Sequence, residues 1–172
     1  MNGQVYDVHN ALYTVAADHE NQINKIKANP VLSVTLQNSL VLAANSSSVV
    51  YWNTSSPLAR VGTWATTDGG TIKVPESGTY RFTMNYGGWS TGAGVTCKAH
   101  AWIATDPGAS SGAFLYPPGG GDAATTSFTF AATLVAGHSF TAYVISWWQG
   151  FQSDAGLEDR KSWNLTVEKI SG

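Results

Sequence analysis

Val74-Pro75-Glu76-Ser77-Gly78-Thr79-Tyr80-Arg81-Phe82 joins a polar turn to a strand. Pro75 fixes φ and Gly78 frees it, which predicts a sharp reversal of the chain before residue 79. Strict alternation follows. Tyr80, Phe82 and Met84 share one face, and Thr79, Arg81, Thr83 and Asn85 share the other. The segment therefore reads as a strand with one buried face.

The chain around it has 172 residues, of which only 12% are charged, about half the usual share, and formal net charge is −2. This composition, rich in Gly, Ser, Thr and aromatic residues, suits strands and polar turns better than charged amphipathic helices. The nine basic residues are scattered, so no footprint for nucleic acid is expected. Cys97 is the single cysteine, so no intramolecular disulfide can form, and it reads as a small buried hydrophobe. The first residues carry neither a basic nor an apolar signal region, and no apolar run approaches ~18 residues. Synthesis in a cytoplasm without membrane insertion is the expectation.

One segment has helical period. Val5, Val8, Leu12 and Val15 follow 3-4-3 spacing, the seam of a heptad. Continuing that register places His19 and Gln22 in the seam before Ile26. A stutter after Leu12 gives Ala16, His19, Ile23 and Ile26 instead. The helix spans residues 5–28 and ends before Pro30. Three or four heptads are marginal alone. The arm, residues 1–29, is expected to self-associate or attach to a partner through Val5, Val8, Leu12, Val15, His19, Ile23 and Ile26, with His19 as a polar layer and not a metal ligand.

From residue 30 to 172 the period is that of strands. Short apolar runs alternate with turn signals such as Asp68-Gly69-Gly70, Asp106-Pro107-Gly108 and Pro117-Pro118-Gly119. About nine or ten strands follow, enough for two packed sheets. His100 falls on the polar side of the run from Val95 to Thr105, as a solvated histidine. The segment from Asp106 to Asp122 reads mainly as loop, and Gln149 to Lys161 as a polar excursion before a terminal strand from Ser162 to Ile170.

With the strands placed, the chain resembles the jelly-roll superfamily of tumour necrosis factor and the globular heads of complement-type proteins. Ile72-x-Val74-Pro75-x-x-Gly78-x-Tyr80-x-Phe82 is similar to the family's Pro-x-x-Gly-x-Tyr-x-Phe run. Leu134-x-x-Gly137-His138-x-Phe140 resembles its Leu-x-x-Gly-Asp-x-Val segment, and Trp163 to Ile170 its terminal strand. The sequence departs at His138, where the family usually has Asp, and at Asn164, where the complement type often has Gly. These departures weaken any transfer of calcium sites. The resemblance implies an all-β jelly-roll sandwich that trimerises, with aromatic faces packed along a threefold axis. Similar modules behind a short coil resemble bacteriophage tail, fibre and head-decoration proteins.

No chemistry beyond a scaffold is legible. The eleven acids show no evident catalytic pair, and no nucleophile elbow or metal signature occurs. No catalytic residue, cofactor or metal is assigned. Trp147-Trp148-Gln149-Gly150-Phe151 is the candidate for a ligand or an interface, through Trp147, Trp148 and Phe151. Adjacent tryptophans in a strand face opposite ways, so one is expected in the core and the other at a subunit contact or ligand. The leading expectation is a non-enzymatic virion protein, a homotrimeric head-decoration or head-fibre protein that contacts other virion proteins. Its alternatives are a tail or tail-fibre protein binding a host glycan or receptor through loops at Asp106–Asp122 and Gln149–Arg160, and a hydrolase on the same scaffold.

Overall fold

A computed structural model describes residues 2–120, 123–153 and 162–172, with the side chains of residues 2–6 and 24–28 outside the description. Helix α1 (Asn2–Ala28) precedes β1 (Val31–Thr35), β2 (Val41–Leu42), β3 (Ser47–Val49), β4 (Ala59–Val61), β5 (Ala65–Thr67) and β6 (Thr71–Lys73). The longer strands follow: β7 (Gly78–Ser90), β8 (Lys98–Asp106), β9 (Ser110–Leu115), β10 (Ala124–Leu134) and β11 (Ser139–Trp147). The chain closes with β12 (Phe151–Gln152) and β13 (Asn164–Ser171).

The turn and strand at Val74–Phe82 begin the central element. β7 pairs along one edge with β10, from Gly78 opposite Leu134 to Gly88 opposite Ala124. Its other edge takes β13, then β12 at Trp89 and Ser90. β1 adds to β13, β4 to β1, and β2 to β12, completing an antiparallel sheet of seven strands. The second sheet has the order β5-β6-β11-β8-β9, with β3 on the same edge of β11 as β6. Both are antiparallel throughout.

The core lies between the two sheets. Tyr80, Phe82 and Met84 are all 0% exposed, as their alternation requires. Phe82 stacks on Phe130 and meets Phe140 of the opposite sheet edge-on at 5.1 Å. Trp64 packs edge-on against Tyr80 and Phe140, and its indole N–H donates to the Val61 carbonyl. Burying each such ring stabilises the fold by about 1.5–3 kcal/mol. Cys97 is buried, with Sγ 3.4 Å from the Ser146 hydroxyl. A Cβ at Gly88 would lie 2.3 Å from the Gln152 carbonyl oxygen, so glycine is what lets β12 close over β7.

The two jelly-roll motifs meet. Val74 N–H donates to the His138 carbonyl, Gly137 N–H to the Val74 carbonyl, and Ala136 N–H to the Ser77 hydroxyl. His138 Nδ1 accepts from the Val135 N–H at 3.3 Å. The imidazole thus offers the acceptor that an aspartate would offer in the same turn. At the terminal strand, Asn164 Oδ1 accepts from Asn85 Nδ2 at 2.7 Å, a pairing that glycine lacks.

Of the thirteen strands among the described residues, two lie where the sequence reading places none. Ser110–Leu115 forms β9 within the segment read as loop, and Phe151–Gln152 forms β12 at the start of the polar excursion. Neither run carries β-branched residues. Their pairing partners, β8 and β7, hold them in the sheet against weak local preference. Gly121-Asp122 and residues 154–161, the rest of that excursion, lie outside the described residues.

Outward faces differ between the sheets. On the β7 sheet, hydroxyls pair across strands, Thr79 with Thr133, Thr83 with Thr129 and Ser33 with Thr166. Arg81 and Glu168 form an ion pair beside them. The aromatic face lies on the other sheet.

Candidate binding site

Period-two alternation builds that face. On β8, Ala99, Ala101 and Ile103 turn inward and are fully buried, while Lys98, His100 and Trp102 turn outward. β11 contributes Tyr143, Ile145 and Trp147, and β9 contributes Gly112 and Phe114. Register sets the neighbours. Trp102 lies between Tyr143 and Gly112, and His100 between Ile145 and Phe114.

The rings form a shelf. Trp102 stacks on Tyr143 at 5.3 Å and on His100 at 5.4 Å. His100 stacks on Phe114 at 4.3 Å and lies 6.4 Å from Trp147. Lys98 Nζ sits over the rings of Phe114, Trp147 and Trp148, at 4.8, 5.1 and 5.9 Å. Its charge therefore rests against three ring faces at one end of the shelf.

A trough of about 460 Å³ opens beside Trp102, bordered by His100, Ser110, Ser111, Gly112 and Trp147. Gly112 lets β9 approach β8 closely at its edge. A Cβ there would lie 2.3 Å from the Ala101 carbonyl oxygen, 2.6 Å from Trp102 Cβ and 2.7 Å from His100 Nε2. Glycine at the register position opposite Trp102 therefore sets the close fit of β9 against Trp102 and His100 at the edge of the trough. Burial, reinforced by the Lys98 charge, holds the His100 imidazole below the usual histidine range. At neutral pH it is uncharged, with one ring nitrogen a donor and the other an acceptor. Among the described residues, the side-chain polar atoms of His100 and Ser110 have no hydrogen-bond partner.

The sequence-selected residues fall in three places. Trp147 lies on the shelf. Trp148 stands beside it, 61% exposed, with φ at +69°. Phe151 is fully buried in the sandwich, against Trp163. The expectation that one of the two tryptophans fills the core is not met. β11 ends at Trp147, so strand alternation no longer governs residue 148, and Ser146 takes the inward position. On α1, Val8, Leu12, Val15, His19 and Ile23 are all exposed, while the side chains of Val5 and Ile26 lie outside the description. His100 differs from its expected solvated state, since rings on β8 and β9 enclose it. Sequence reasoning missed Trp102, Phe114 and Tyr143 as site residues. The signal for Trp102 was available, a tryptophan on the outward register of β8.

Among the described residues, no group of three or more His, Cys, Asp or Glu is placed to hold a metal ion, and no helix is long and apolar enough to cross a membrane. No protein-family model matches the chain, and no curated protein matches it. Solved structures do. The crystal structure of murine APRIL at pH 5.0 has a TM-score of 0.57 over 83% of this chain and 99% of that one, at 14% identity. The pH 8.0 structure of murine APRIL has a TM-score of 0.55 with the same coverage and identity. The fold is a tumour-necrosis-factor-like jelly roll. At 14% identity the likeness is one of fold. The shelf lies on the outward face of this jelly roll's β5-β6-β11-β8-β9 sheet.

Proposed function

We propose that the protein is a non-enzymatic structural protein of a bacteriophage virion, a homotrimer whose helices assemble or anchor it and whose jelly-roll heads project as a head decoration or head fibre. One observation carries this reading. Val8, Leu12, Val15 and Ile23 are 49–64% exposed on α1, at heptad-like spacing, and do not pack on their own sandwich. Such a stripe calls for matching helices or a partner surface.

Sedimentation of the full chain, beside a chain lacking residues 1–29, tests the reading. The full chain is expected to run as a trimer at micromolar concentration, and the truncated one to dissociate and fail to join particles. A monomeric full chain, or particles that retain the truncated form, would overturn it.

A second reading is favoured by the aromatic shelf. It makes the head a recognition module for a host surface glycan or receptor, as in a tail or tail-fibre protein.

A further inference from the structure

We propose that the trough beside Trp102 is a saccharide-binding site that takes a neutral hexopyranose unit of a glycan. This rests on the second reading above and gives it a place and a ligand class. The site differs from the loops to which the sequence pointed. It is a sheet face, organised by register.

Four features of the trough fit a sugar. Its wall is an indole. Trp102, stacked with Tyr143 and His100, borders the trough with a half-exposed ring. The apolar C–H face of a pyranose ring can lie against such a surface while its hydroxyls stay polar. Polar atoms border the same space without partners. The Ser110 hydroxyl, on the outward register of β9, and the His100 ring nitrogens have none among the described residues. A neutral imidazole and the Ser110 hydroxyl supply both donors and acceptors, which is what a polyol requires.

Charge gives the third feature. No acid lines the trough, and the nearest cation, Lys98, lies over Phe114, Trp147 and Trp148. An uncharged ligand is the match. The fourth is size, since about 460 Å³ falls within the roughly 300–1,000 Å³ typical of small-ligand clefts. A second copy of this chain, or a protein receptor, is a competing occupant that would cover the shelf as a whole.

The test uses the full-length protein and a panel of maltotriose, cellotriose, mannotriose and lactose. Tryptophan fluorescence and sedimentation are measured together. Saturable binding of at least one sugar is expected. Trp102→Ala, and separately Ser110→Ala, should each weaken that binding by about tenfold or more without changing the oligomeric state. The Ser110→Ala variant removes only an exposed hydroxyl and keeps the sheet intact should Trp102→Ala fold poorly.

No binding of any panel member at about 10 mM, or binding indifferent to both variants, overturns the site. A change in oligomeric state on Trp102→Ala also overturns it and assigns the shelf to subunit contact. Adsorption of the wild-type protein to host cells separates the two failures. Adsorption that persists without sugar binding removes this site and leaves the recognition reading standing, whereas loss of both removes the reading as well.

Discussion

The Tyr86 hydroxyl donates to the Ala113 carbonyl at 2.6 Å, linking β7 of one sheet to β9 of the other. The same oxygen accepts from the Ala101 N–H at 3.4 Å. β9 has little intrinsic strand preference, and this bond holds it from beneath. Tyr86→Phe keeps the ring and takes the Tyr86 hydroxyl away from the part-buried Ala113 carbonyl. A loss of about 1–3 kcal/mol is expected in chemical denaturation, with faster amide exchange across β9 than across β11.

Two adjacent residues on β7 should respond very differently to truncation. Arg81 points outward, and its Nε donates to Glu168 Oε1 at 2.6 Å from a half-exposed side chain. Phe82 is 0% exposed between Phe130 and Phe140. Arg81→Ala is expected to cost less than about 1 kcal/mol. Phe82→Ala is expected to cost about 3–5 kcal/mol by the same denaturation measurement.

His100 should make stability fall on acidification. Its folded pKa lies below the usual histidine value, through burial and the neighbouring Lys98. The unfolded chain therefore binds more protons as pH drops through the ordinary histidine range. Stability is complete above that range and declines as pH falls through it towards the lowered folded value. Thermal midpoints between pH 7.5 and 5 should show a slope that His100→Gln reduces. Lys98→Met should move the His100 resonance titration upward, towards the usual value, because it removes one of the two causes.

Cys97 should be silent in the native protein. Burial raises its thiol pKa, only partly offset by the Ser146 contact, so little thiolate forms and none is accessible. A disulfide reagent at pH 8 is expected to label the native chain far more slowly than the denatured one. Rapid labelling of folded protein would contradict the packing around β8 and β11.

Much of the sandwich was legible because alternation is a direct consequence of strand geometry. Tyr80, Phe82 and Met84 were placed inward by period alone, and the turn at Pro75–Gly78 by its φ requirements. The two jelly-roll motifs were legible separately, but not the hydrogen bonds that join Val74 to His138. β9 was hidden, since Ser110-Ser111-Gly112-Ala113 reads locally as loop and becomes a strand only beside β8. The shelf was hidden for the same reason. It depends on which residues of β8, β9 and β11 lie opposite one another, and one sequence does not contain cross-strand register. Trp147 was found by its composition, and Trp102, 45 residues earlier, was not.

Pro30 accepts a hydrogen bond from the Lys169 N–H at 2.9 Å, which ties the end of α1 to the Val31–Glu168 end of the sandwich. That end lies level with Phe140, through the contact with Phe82. Trp147 is seven residues further along β11, roughly 24 Å away. The molecule thus has a root and a tip. Heads joined at their roots would present their Trp147 ends together, away from the point of attachment. A contact too weak to hold one head could then act several times at once, and avidity would raise apparent affinity by about 10²–10⁴ without a new contact.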